Sequence, residues 1–273
     1  MAEKRENESI KRLFFGLEIE APWPQNLPQA RSVKESCRHL TLAFLGNIPF
    51  SKLRDKLDFF PKLPIQIGPV GQFDACLFLP QKDPHVIAWH VNWLENSQAL
   101  EKSQHLLNDW LRSLDLPVDD RPFLPHVTLG RSPFNSHEWK NQFVPLPLII
   151  KNLHLYESTG QLNYEPIWSY KQLSPPFVEI EHTADMAFEV YGETIQQIYR
   201  HAFIALSFHC PSLLKFYEKT KDPQIIDEVI MALNQAISLS DAEQGCSFKA
   251  VSFHGELQQR NDKILQWEMI VDV

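Results

Sequence analysis

One four-residue signature occurs twice in this chain: His39-Leu40-Thr41-Leu42 and, 87 residues later, His126-Val127-Thr128-Leu129. Side chains alternate between the faces of a strand, so His39 shares a face with Thr41 and His126 with Thr128. Leu40, Leu42, Val127 and Leu129 then point the other way, into a core. Each copy offers one imidazole and one hydroxyl to the same side of a sheet. With 11 His in 273 residues and few threonines, chance supplies about a quarter of one His-x-Thr match. Two copies, each running on into apolar residues and a glycine (Gly46, Gly130), predict a single cleft built from two matching halves.

Two imidazoles across one cleft suit a reaction in which a proton is removed at one point and delivered at another, because histidine titrates near working pH. Two short hydroxyls beside them can hold the oxygens of a tetrahedral phosphate while charge develops. This scheme requires no metal.

Residues 13 to 173 resemble the 2H phosphoesterase superfamily, and within it the RNA 2′,3′-cyclic phosphodiesterases also known as 2′-5′ RNA ligases. The resemblance rests on three anchors in the family's order. They are Arg38-His39-Leu40-Thr41-Leu42-Ala43-Phe44-Leu45-Gly46, then Arg121-Pro122-Phe123-Leu124-Pro125-His126-Val127-Thr128-Leu129-Gly130-Arg131, then Leu155-Tyr156-Glu157-Ser158 with Gly160 and Tyr164. It implies an α+β, bilobal fold of two pseudo-symmetric antiparallel sheets with outer helices. The implied reaction is metal-independent hydrolysis of RNA 2′,3′-cyclic phosphate ends to 2′-phosphomonoesters, with no cofactor. His39 becomes the general acid and His126 the general base. Thr41 and Thr128 become phosphate ligands, and Arg131, expected on the strand face of Thr128, adds a charge-assisted contact. Two alternatives stay open: a non-catalytic RNA-end-binding cofactor of an RtcB-type RNA ligase, and a phosphodiesterase acting on 2′-5′ linked or small cyclic nucleotides. Phe14, Phe44, Phe73, Phe123 and Trp89 are candidates to stack a base, although core packing claims most residues of this kind.

Composition enters where the charge divides. Residues 1–173 carry 19 Lys and Arg against 19 Asp and Glu, whereas residues 174–273 carry 7 against 15. Ser174-Pro175-Pro176 reads as a linker, because consecutive prolines resist helix and sheet. The expected organisation is therefore a phosphoesterase domain over 1–173, a linker over 174–176 and an acidic domain over 177–273. Within the first domain, Leu100, Leu107, Trp110, Leu111 and Leu114 predict an amphipathic helix. Within the second, Met186, Phe188 and Val190 predict a strand, and Thr194 with Gln197 a capped helix. Asp222-Pro223 is read as a further helix start. A hairpin is expected from Phe248 to Leu257 and from Ile264 to Val273, turning at Arg260 to Lys263.

The acidic segment resembles the archease family through Phe177 to Met186, Phe248 to His254 and the closing Ile270-Val271-Asp272-Val273. Between Asp241 and Phe248 it is shorter than the family. The resemblance implies a small α/β domain that assists an RtcB-type RNA ligase. It also implies a divalent cation (calcium, magnesium or manganese) held by Asp185, Asp272 and the carboxylate of Val273, all hard oxygen donors. Lys249 and His254 match family positions without an implied role. The four cysteines are too scattered for a zinc knuckle or disulfide framework. No apolar run is long enough to cross a bilayer. A cytoplasmic protein acting on RNA, with no membrane partner, is the expectation.

Overall fold

The structure, a computed structural model, describes residues 9–95, 98–119, 121–181, 185–253 and 255–273. Eight strands form the first sheet: β1 (Ile10–Glu20), β2 (Arg31–Ser32), β3 (His39–Pro49), β4 (Val70–Leu79), β5 (Val86–Trp93), β6 (His126–Arg131), β7 (Pro147–Gly160) and β8 (Asn163–Ser169). Six of them close a ring in the order β1-β3-β6-β5-β4-β7, because β7 pairs back onto β1; β8 extends from β7 and β2 from β6. All of these pairings are antiparallel.

The expectation of two separate sheets is corrected in an informative way. Strands β3, β1, β7 and β8 zip through long registers, as do β6, β5 and β4, but the two halves meet at short seams. One seam is the single pair Leu40–Val127. The other is Val70–Ile149, Gly71–Leu148 and Gln72–Pro147. The two sheets are thus halves of one closed barrel, since joining them pairs edge N–H and C=O groups that would otherwise stand open.

Short helices α1 (Ser51–Arg54) and α3 (Ser136–Asn141) and the longer α2 (Gln98–Ser113) lie outside the strands. The predicted stripe of α2 is the buried one: Leu100, Leu107 and Leu111 join Phe15, Leu40, Trp89 and Val127 in one core.

The second unit has strands β9 (Phe177–Ile180), β10 (Met186–Gly192), β11 (Ala250–Val251), β12 (Leu257–Gln259) and β13 (Leu265–Asp272), with α4 (Ile195–His209) and α5 (Ile226–Gln244). Its sheet runs β11-β13-β10-β9 with β12 also on β13, antiparallel throughout. It is therefore α+β rather than the α/β expected. Thr194 caps α4, accepting from the Gln197 amide at 3.2 Å, while the Gln197 side chain accepts from the Glu193 amide at 2.7 Å. The start read at Asp222-Pro223 lies before the helix: α5 begins at Ile226, and Glu228 instead reaches back to the Gln224 amide at 2.7 Å. The first hairpin arm is split into β11 and β12, but the turn at Arg260 to Lys263 stands, closed by Arg260 N–H to Ile264 O at 2.8 Å.

The two units are packed on each other. Val70, Leu94 and Ile149 of the barrel belong to the second core, with Phe188, Phe203 and Trp267. Ser174, at the start of the expected linker, exchanges backbone hydrogen bonds with Gln66 and Gly68. Among the described residues, no helix is long and apolar enough to cross a membrane.

Candidate active site

The seam between the barrel halves is also where the two signatures meet. Leu40 stands directly opposite Val127, so the antiparallel register sets His39 beside Thr128 and Thr41 beside His126. Leu40 and Val127 are fully buried, which leaves both imidazoles and both hydroxyls on the other face, partly exposed. A local two-fold relation thus turns two copies of one short sequence into a four-membered set.

The same relation fixes the rings. His39 Nδ1 lies 2.7 Å from Cys37 O and His126 Nδ1 lies 2.8 Å from Leu124 O, each two residues upstream. A carbonyl only accepts, so each Nδ1 carries the proton and each Nε2 is left for chemistry.

Beyond the threonines, sequence parity misleads. Arg131 is three residues past Thr128, which on a regular strand puts it on the opposite face. A β-bulge between the pairs Ile87–Gly130 and Ala88–Thr128 absorbs Leu129 and turns Arg131 back to the cleft. In the other half, a bulge at Leu42 does the same for Phe44: Gly16 lies opposite Thr41 and Phe14 opposite Phe44, so Thr41 and Phe44 share a face. The face expected for Arg131 is correct, but the bulge is what produces it.

His39, Thr41, Thr128 and Arg131 line one cavity of about 400 Å³ with Arg12, Phe44 and Tyr164. The β7–β8 turn supplies a wall, where Gly160, Gln161 and Leu162 all adopt left-handed backbone (φ 98°, 49° and 62°). His39 sits in an aromatic recess, 4.5 Å from the Phe14 ring centroid, 4.8 Å from Tyr164 and 5.4 Å from Tyr156. Gly16 makes room for it: a Cβ there would lie 3.4 Å from His39 Cδ2 and 3.2 Å from Phe14. Of the aromatic candidates, Phe73 and Trp89 are core residues, whereas Phe14 and Phe44 line the cleft.

Burial pushes the His39 imidazole down to about 4, and the nearby His126 adds to the effect, against the opposing pull of the Cys37 carbonyl. His39 is therefore neutral at physiological pH. Because its folded value lies below the ordinary 6.5, the unfolded chain binds the proton more readily. The protein should lose stability as pH falls from about 6.5 through about 4, and His39→Phe should flatten that dependence in urea unfolding.

Two histidine–carboxylate pairs flank the set, and sequence reasoning missed both. Glu18 lies opposite His39 in the sheet and accepts from His154 Nε2 at 3.2 Å and Asn152 Nδ2 at 2.8 Å. The His154 bond holds the Glu18 carboxyl down at about 2, against desolvation. On the other side His90 lies opposite His126, with its Nδ1 2.6 Å from Asp74 Oδ1. Only the strand pairing, which local periodicity does not carry, reveals either.

No family model and no curated protein matches this chain. Solved structures do match it, over about 60% of its length. The chain is similar to E. coli LigT complexed with 3′-AMP at 21% identity, over 60% of this chain and 100% of that one, with a TM-score of 0.43. It is likewise similar to a phosphoesterase at 20% identity (61% and 99%, TM-score 0.43) and to TT0787 of Thermus thermophilus at 20% (59% and 97%, TM-score 0.43).

The expected cation ligands fare differently. Met186 pairs with Val271, so Asp185 falls beside Asp272. However, the Lys249 ammonium donates to Val273 O at 2.6 Å, a cation's place already taken by a cation. Among the described residues no group of three or more His, Cys, Asp or Glu gathers at metal-binding spacing. Val273, the third expected ligand, is thus bonded to Lys249. His182 to Ala184 and His254, which carried part of the archease resemblance, lie outside the described residues.

Proposed function

We propose that the barrel hydrolyses RNA 2′,3′-cyclic phosphate ends to 2′-phosphomonoesters without a metal. One observation carries this reading: the two His-Thr strands pair at their centres, Leu40 on Val127, with both rings held by matching i−2 carbonyls. The cyclic phosphate sits between the strands. Thr41 and Thr128 donate to its non-bridging oxygens, and Arg131 offsets their charge.

We assign the proton roles in the reverse of what the resemblance implies, on the burial of His39. His39, kept neutral by its aromatic recess, presents a free Nε2 lone pair and takes the proton of the attacking water. His126 gives its Nε2 proton to O3′ as the phosphorus–O3′ bond breaks and the new phosphorus–oxygen bond forms. A substrate whose leaving group needs no proton tests the assignment: on it His126→Ala should regain part of its lost rate and His39→Ala should not, and the opposite pattern would reverse the roles.

Thr41→Ala and Thr128→Ala should each slow turnover by roughly 10²-fold, as for other deleted donors to developing phosphate or oxyanion charge. The reading itself is tested by offering nucleoside 2′,3′-cyclic phosphates, cyclic-ended RNA and 2′-5′ linked oligonucleotides in parallel. Preferred turnover of the cyclic-ended RNA supports it, and turnover confined to the 2′-5′ linkage replaces it.

For the acidic unit, the reading is an archease-like module that engages an RtcB-type RNA ligase or that ligase's RNA. Opening a cyclic end to a 2′-phosphate removes a terminus the ligase would use, so the fusion would set hydrolysis against ligation. Purified chain added to such a ligase should alter its turnover, and an unchanged rate removes this part of the proposal.

A further inference from the structure

We infer that the RNA strand leaving the catalytic set runs along β5 into a basic notch at the junction of the two units, where Arg200 and Lys219 of the second unit hold its phosphates. This rests on the RNA reading above and extends it to a site on the other unit.

The path follows from register. β5 is regular from Ala88 to Asn92, with its bulge taken up by β4 at Asp74. Ala88 lies opposite Thr128 and His90 opposite His126, so Ala88, His90 and Asn92 form one line on the catalytic face. The alternate residues Ile87, Trp89 and Val91 are buried in the core. Exposure rises along the line, from buried Ala88 through half-buried His90 to exposed Asn92. Four residues of strand cover about 13 Å.

At the far end of this line, Asn92 borders a cavity of about 500 Å³ whose other polar walls are Glu95, Arg200 and Lys219. Both carboxylates along the way are spoken for. Asp74 is bonded to His90. Glu95 accepts from His201 Nε2 at 2.7 Å, Gln197 Nε2 at 3.0 Å and the Val70 amide at 3.4 Å. What the notch offers a ligand is therefore positive charge, on a unit whose overall balance is acidic. Two cations at the far end of a strand line that starts opposite Thr128 and His126 match the backbone of a single-stranded RNA.

The test uses the full chain, a fluorescent hexanucleotide RNA with a 2′,3′-cyclic end, and a nucleoside 2′,3′-cyclic phosphate. Binding of the hexanucleotide is measured at two salt concentrations for wild type and for Arg200→Gln/Lys219→Gln. The double variant should bind roughly tenfold more weakly and show a shallower salt dependence, by up to about two units of log–log slope. Its turnover of the mononucleotide should match wild type, because that substrate does not reach the notch. Equal affinity and equal salt slope would overturn the inference, as would an equal loss on both substrates. If wild type turns over neither substrate, the catalytic reading fails while the binding comparison still decides the notch.

Discussion

His39→Ala and His126→Ala should each slow hydrolysis of a cyclic-phosphate-ended RNA by roughly 10²- to 10⁴-fold, the range for loss of a positioned acid or base. Both rings should matter, because the seam gives each one the same support: an Nδ1 proton spent on a backbone carbonyl, which leaves Nε2 unspent. The variants should differ in kind, however. Removing His39 empties an aromatic recess bounded by Phe14, Tyr156 and Tyr164, so the loss should persist across the pH range. On the proposed assignment, removing His126 deletes the proton donor, so substrates with a better leaving group than a ribose O3′ should recover part of the rate. A wild-type rate in either variant would remove that histidine from the reaction.

The second large effect is on stability. Glu95→Ala should cost about 3–5 kcal/mol in urea unfolding at neutral pH, the usual consequence of breaking a buried ion pair from one side. His201 is 1% exposed and Glu95 13%. His201 engages the Tyr191 carbonyl with one ring nitrogen and the Glu95 carboxylate with the other. Burial by itself would raise the Glu95 carboxyl, but the charge of His201 and the bonds from His201, Gln197 and Val70 hold it below its ordinary range. The stabilisation is thus present above the ordinary carboxyl value and is lost as pH falls below it. The alanine variant should lack that acid dependence and, with the units unpinned, should unfold in two transitions. A loss under about 1 kcal/mol with one transition would show that apolar contacts alone join the units.

What the sequence makes legible here is local. The His-x-Thr repeats, the stripe of α2 and the Thr194 cap depend on spacings of two to four residues, and all appear as expected. What it hides is pairing at a distance. Closure of the barrel through β1 and β7 joins segments about 140 positions apart, and the Glu95–His201 pair spans 106. The bulges at Leu42 and Leu129 are invisible to parity, although they decide that Phe44 and Arg131 face the cleft. Glu18 and His90 become neighbours of His39 and His126 only through register. In the second unit, Asp222-Pro223 falls in irregular chain four residues ahead of the helix that begins at Ile226.

The claim that two repeated strands make one site is tested most directly by a double-mutant cycle on cyclic-phosphate hydrolysis with His39→Ala, His126→Ala and the pair. Residues that act as one unit are strongly non-additive, so the double variant should be about as slow as the slower single. Losses that multiply would mean that the histidines work independently, and the single-site account would be wrong.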